Sequence, residues 1–112
     1  MAFEFNGTEF ETNDNGHLVN HEDWSEDMAK AMAAADDIEL TEKHWDLINF
    51  LREEYFQGGG VHPNTRKIVK AMSAAWGEKL SQRDVYVLFP GDPSKQGGKI
   101  AGLPESRRKG GY

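Results

Sequence analysis

Few side chains in this chain are equipped for covalent chemistry. Its 112 residues contain no cysteine. That removes disulfides, thiolate metal sites, iron–sulfur clusters, a cysteine nucleophile and sulfur held as a persulfide on the chain itself. The four histidines are His17, His21, His44 and His62. His17 and His21 have metal-like spacing, but Gly16 argues against a continuous helix there and no carboxylate motif completes a ligand set. Surface positions and no metal are therefore expected. His44, beside Trp45, reads as a helix-surface or partly buried residue rather than a general base. Gly58-Gly59-Gly60 precedes a helical pattern but lacks the Lys-Ser/Thr of a phosphate loop, so it reads as a connector. No nucleophile elbow or dinucleotide fingerprint occurs, no carboxylate pair is set apart for acid–base work, and no cofactor is expected. One basic run remains. Asn64, Arg66, Lys67 and Lys70, with Thr65, are residue types that contact phosphates or base edges; an αα-corner with a solvated basic face gives the same pattern.

The elements that would position these groups follow from turn signals and periodicity. Phe3 to Phe10 alternates apolar and polar residues about Asn6-Gly7, a pair suited to a type I′ turn, which predicts a β-hairpin whose Phe3, Phe5 and Phe10 cover one end of the core. Asn13-Asp14-Asn15-Gly16 is a second turn, followed by a brief extended piece at 17–19. A first helix is predicted from His21 to Ala35, capped by Asn20, with Trp24, Met28, Ala31, Met32 and Ala35 as its inner stripe. A second spans Glu42 to Phe56 after Thr41, with Trp45, Ile48, Leu51 and Tyr55 inward. A third runs from Pro63 to Trp76, with Ile68, Met72, Ala75 and Trp76 inward, and ends at Gly77. Ser81 caps a short fourth helix, Pro90 to Pro93 breaks the chain, and a last helix covers Ser94 to Ile100. Helices two and three resemble a helix-turn-helix. Trp24, Trp45 and Trp76 all fall on apolar stripes, which favours core packing over base stacking. The fold class is mostly α (α+β): a hairpin on a small helical bundle, forming one domain over 1–104, with a flexible C-terminal arm over 105–112.

Charge is divided along the chain. Residues 1–46 hold 13 acidic and 2 basic side chains, net −11, and residues 47–112 hold 6 and 11, net +5. The halves either attract each other in the fold or leave a basic surface for an acidic partner. An overall pI near 5.1 argues against strong non-specific nucleic-acid binding. No apolar run approaches the roughly 20 residues of a membrane span. The start, MAFEFNGTEF, lacks basic and apolar leader regions, so no signal peptide is expected and a cytoplasmic location is.

Asn15-Gly16-His17-Leu18, Trp24-Ser25-Glu26, Ile38 to Trp45, Phe50 to Tyr55, Pro63 with Arg66, Val87-Leu88-Phe89-Pro90, Lys95-Gln96 and Ala101-Gly102-Leu103-Pro104 follow one another along almost the whole chain. In this order they resemble the DsrC/TusE/DsvC family of sulfur-relay proteins. The resemblance implies a small helical fold with an N-terminal hairpin and a flexible C-terminal arm. It also implies an arm whose penultimate cysteine carries sulfur, relayed toward thiolation of a tRNA wobble uridine in TusE-like members. DsrC-like members have a second cysteine upstream and serve dissimilatory sulfite reductase. Here the upstream position reads Gly98. The carrier position reads Gly111 counted from the end, or Lys109 counted from Gly102-Leu103-Pro104, and Glu105-Ser106 replaces the family's Lys-Pro.

Glycine has no nucleophile, so no catalytic residue is assigned. The expected function is accordingly that of a non-catalytic, protein-binding or regulatory homologue in sulfur metabolism, with DNA as a further candidate partner through Asn64, Arg66, Lys67 and Lys70. Its partners would be proteins of sulfur relay or sulfite reduction, met through Arg107, Arg108, Lys109, Gly111 and Tyr112. The alternative is a component of sulfur relay itself, for tRNA 2-thiouridine formation or for sulfite reductase, with the thiol supplied by another chain.

Overall fold

A computed structural model describes residues 2–105. The predicted arm from residue 106 on, with Arg107, Arg108, Lys109, Gly111 and Tyr112, lies outside the described residues. Strands β1 (Ala2–Phe5) and β2 (Thr8–Glu11) form the hairpin, with Phe3 opposite Phe10. Its turn has the backbone a type I′ loop needs, Asn6 at φ 52° and Gly7 at φ 76°. Phe3, Phe5 and Phe10 are partly buried against the core, as their alternation predicts.

The predicted first helix is two pieces. A 3₁₀ turn over His21–Asp23 is capped by the Asn20 side chain, Trp24 is extended, and α1 (Glu26–Ala35) starts afresh after Ser25, whose hydroxyl accepts from the Met28 N–H. Two good caps five residues apart allow two helix starts, and the Trp24 indole draws the chain out of helix between them. The new start also turns the buried face: Met28, Ala29, Met32 and Ala33 are buried and Ala35 is exposed.

Helix α2 (Glu42–Gln57) follows Thr41 as expected. Helix α3 (Thr65–Trp76) starts two residues later than predicted because the Asn64 side chain accepts from the Lys67 N–H, making Asn64 the cap and leaving Pro63 outside. Gly77 ends α3 at φ 65°. Ala75, expected inside, is exposed. Residues 58–64 join α2 to α3, a longer connection than the about three- to four-residue turn of a DNA-reading helix-turn-helix. Helix α4 (Gln82–Leu88) is held by a Ser81–Asp84 capping box, and α5 (Lys95–Ile100) is the last element.

The core is built around α5, which packs on α1 and α2. Gly97 makes this approach possible: a Cβ there would lie 3.0 Å from the Leu51 side chain and 3.4 Å from Phe89. Leu47, Leu51, Phe89, Ile100, Ala101 and Leu103 are all buried, and each large side chain among them is worth about 1.5–3 kcal/mol. Ile100, Ala101 and Leu103, at and just after the end of α5, are thus part of the core. No helix among the described residues is long and apolar enough to cross a membrane.

Candidate functional site at the root of the C-terminal segment

Three side chains from distant parts of the chain meet the carbonyls of Ile100, Ala101 and Leu103, where the chain leaves α5. The Trp24 indole N–H donates to the Ile100 carbonyl at 2.8 Å. The Arg52 guanidinium donates through Nη1 to the Ala101 carbonyl at 2.6 Å. His17 Nδ1 lies 3.3 Å from the Leu103 carbonyl. A backbone oxygen only accepts, so this nitrogen carries the proton and Nε2 does not. Burial, the larger effect, pulls the His17 pKa down, while the Leu103 carbonyl and Glu105 raise it and Lys99 lowers it.

The clamp is stacked as well as hydrogen-bonded. Arg52 sits 3.9 Å over the Trp24 ring and 4.9 Å over Phe56, and its partial burial disfavours the charged form. The planar guanidinium can stack and donate at once, which a lysine cannot. Gly102 lies against the same Trp24 side chain. Its φ is +76°, and a built Cβ would overlap the Cβ, Cγ and Cδ1 atoms of Trp24. Beyond Pro104, Glu105 is held by Asn13 Nδ2 at 2.8 Å and Asn15 Nδ2 at 2.7 Å. Lys99 pairs with Asp36 at 2.6 Å, and Gln96 donates to the same carboxylate at 3.1 Å. Beside this root lies an open pocket of about 310 Å³ lined by Asn15, His17, Asp36, Gly91, Lys95, Gln96, Lys99 and Glu105.

Gly98 is in α5, three residues after Lys95. It is buried as a residue, yet a Cβ placed on it meets nothing within 4 Å. The backbone there would accept a side chain, in contrast to Gly97 and Gly102.

The basic run lies elsewhere and is partly committed. Asn64 caps α3, and Lys67 pairs with Glu54 at 3.0 Å, while Arg66 and Lys70 are exposed. His44 is structural: Nδ1 accepts from the Thr41 N–H at 3.0 Å and Nε2 donates to the Leu88 carbonyl at 2.9 Å. Burial, opposed by that carbonyl, lowers its pKa. The three tryptophans are half-buried against the core.

The family described as DsrC like protein matches residues 4–108. The chain belongs to that family. Sulfurtransferase TusE of Sodalis glossinidius is 47% identical over 103 residues, covering 91% of this chain and 94% of the relative. Allochromatium vinosum DsrC, solved by NMR, has a TM-score of 0.83 and 41% identity over 96% of this chain and 98% of that one. The oxidized γ-subunit of dissimilatory sulfite reductase (DsrC) from Archaeoglobus fulgidus reaches a TM-score of 0.87 at 33% identity with the same coverage.

These DsrC-like relatives correct the functional expectation. The missing cysteines point to a non-catalytic, protein-binding or regulatory homologue, and the basic run at Asn64, Arg66, Lys67 and Lys70 to DNA, but relatives 43–47% identical over nearly the whole length are named sulfurtransferases, one of them a homolog by name. Losing a sulfur-bearing atom limits what this chain's own atoms can do. It does not by itself say which process the scaffold serves, and the scaffold is kept. Periodicity did not single out Arg52, the Asn13–Asn15–Glu105 contact or the Lys99–Asp36 pair, because none of them alters an apolar pattern. The DsrC-like motifs did carry a signal: Asn15, His17, Trp24, Arg52 and Gly102 come from four separate motifs and meet at this one root.

Proposed function

We propose that this chain is a cytoplasmic sulfur-relay protein of the TusE type, serving 2-thiouridine formation in tRNA. The observation that carries the reading is the 47% identity to a sulfurtransferase TusE over 91% of the chain. The clamped root of the C-terminal segment supports it, since a relay needs its terminal arm launched in a fixed direction. With no cysteine in the sequence, the relayed sulfur stays on a partner's cysteine throughout, and this chain orients the donor and acceptor. Residues 105–112 form the arm in this reading. Arg107, Arg108 and Lys109 draw it to an acidic groove, and Gly111 and Tyr112 dock. The 41% identity to Allochromatium vinosum DsrC favours one second reading, a role beside dissimilatory sulfite reductase.

The test is a reconstituted relay. A persulfide-loaded donor, a tRNA-thiolating acceptor and tRNA are mixed with and without this chain, and 2-thiouridine is quantified. Faster thiolation with the chain present, while its own mass gains no sulfur atom, is expected. Equal rates with and without it would refute the reading, and stimulation of a sulfite reductase instead would select the second one.

A further inference from the structure

The pocket beside the root contains a charge and a base that the clamp does not use. Lys99 is neutralised by Asp36 at 2.6 Å, and Glu105 is held by two asparagine amides. The remaining cation is Lys95, half-buried on the pocket wall, and its ammonium has no acidic partner among the described residues. His17 lines the same pocket. Nδ1 is taken by the Leu103 carbonyl, and Nε2 makes no hydrogen bond among the described residues. His17, expected at a surface position, is instead buried at 6% exposure where it borders the pocket. An unprotonated imidazole nitrogen and an ammonium with no acidic partner among the described residues thus border one recess of about 310 Å³. It lies on the helix that carries Gly98.

We propose that this pocket receives the cysteine thiol of a sulfur-relay partner, with His17 Nε2 as the proton acceptor and Lys95 as the counter-ion of the thiolate. The assignment rests on the sulfur-relay reading and deepens it by naming the chemical group bound. In the step, the partner's S–H bond breaks and an N–H bond forms at Nε2, while the electron pair stays on sulfur. The resulting thiolate attacks the outer sulfur of a donor cysteine persulfide, a new S–S bond forms as the donor's S–S bond breaks, and the donor leaves as a cysteine thiolate. Burial keeps the imidazole neutral near pH 7 and therefore able to accept. The groups facing it are Glu105 and Asp36, which favour its protonation, and Lys95 and Lys99, which oppose it but favour the thiolate. A cation beside a thiol lowers its pKa from about 8.5 into the range of roughly 3.5–7.5 found at reactive sites.

The probe is glutathione, a cysteine thiol on a small peptide, with S-methylglutathione as the thiol-free control. Imidazole nitrogen shifts of the intact protein are followed by NMR at neutral pH. Glutathione is expected to protonate His17 with a Kd on the order of millimolar, leaving His44 unchanged. S-methylglutathione should not do so, and Lys95→Ala should weaken the response roughly tenfold, the loss of one charge-assisted contact. Because Lys95 is not part of the core, that variant folds and the comparison is clean. No shift of His17, an equal shift with the methylated control, or an undiminished response in Lys95→Ala would each overturn the assignment. The titration contains no tRNA and no relay protein, so its failure is separate from failure of the relay assay.

Discussion

Replacing Gly102 with alanine should cost far more stability than any exposed substitution, and the geometry sets the size. The residue sits at φ +76°, where a Cβ costs about 1–2 kcal/mol. That Cβ would also stand where the Trp24 side chain stands, so the indole must leave. Its hydrogen bond to the Ile100 carbonyl, about 1 kcal/mol, goes with it. So does the Arg52 stack at 3.9 Å, about 0.5–1 kcal/mol at a partly exposed site. Together these reach about 2.5–4 kcal/mol, a fall in Tm on the order of 10–20 °C for a chain of this length. Gly98→Ala is the internal control. It is helical, a Cβ there meets nothing within 4 Å, and alanine should add about 0.5–1 kcal/mol by restricting the unfolded chain. Both variants are followed by thermal and urea unfolding with tryptophan fluorescence. A Gly102→Ala protein within about 1 kcal/mol of the parent, or a Gly98→Ala protein equally damaged, would refute the account of this segment.

Two further outcomes follow from the same side chains. Arg52→Lys keeps a positive charge but loses the planar stack and the directed donor to Ala101, so the Gly102 and Leu103 amides, now bonded to Lys99 and Gly98 carbonyls at 3.1 and 2.9 Å, should exchange with deuterium about tenfold faster; unchanged exchange would remove Arg52 from the clamp. Because burial lowers the His17 and His44 pKa values, the native state binds fewer protons than the unfolded chain. Their contribution is therefore complete above the ordinary histidine pKa of about 6.5 and is lost as pH falls below it toward the lowered native values. His44→Gln keeps an acceptor for the Thr41 N–H in the capping box and no longer titrates, so Tm measured at about pH 7.5 and about pH 5 should fall less steeply than in the parent; an equally steep decline would assign the effect elsewhere.

What the sequence disclosed depended on whether a feature was local. The hairpin was legible because Asn6-Gly7 fixes a turn and the phenylalanines alternate about it. The C-cap of α3 was legible because Gly77 marks it. The break at Trp24 was not, since Asn20 and Ser25 are both adequate caps and only the distant Ile100 carbonyl and Arg52 decide that the chain leaves helix between them. Ala35 and Ala75 were misplaced for a related reason: alanine fits a buried or an exposed face equally well, and a start shifted by a few residues rotates the face. The root clamp is wholly non-local. His17, Trp24 and Arg52 meet carbonyls 49 to 86 residues away in sequence, a distance no window of periodicity spans. Only the ordered motifs of the family resemblance placed those residues under one constraint.

The missing thiol and the retained clamp bear on function differently. A thiol is one atom's worth of chemistry, and the sequence holds none, whereas Gly98 is a helical position with room for a side chain. The clamp is a joint arrangement of Trp24, Arg52, His17 and Gly102, and no single member is useful without the others. Core stability alone does not demand it, because Ile100, Ala101 and Leu103 are already buried by apolar contact. What three separate donors on the carbonyls of Ile100, Ala101 and Leu103 add is direction: they fix where the backbone points as it passes Pro104, and the Asn13 and Asn15 amides extend that control to Glu105. A chain that bound partners only through its helical faces would gain nothing from a directed exit. A chain that must bring its C-terminal residues to a partner's cysteine would, and the distinction gives Arg52→Lys a second meaning. It should slow the reconstituted relay even under conditions where the helical bundle remains fully folded.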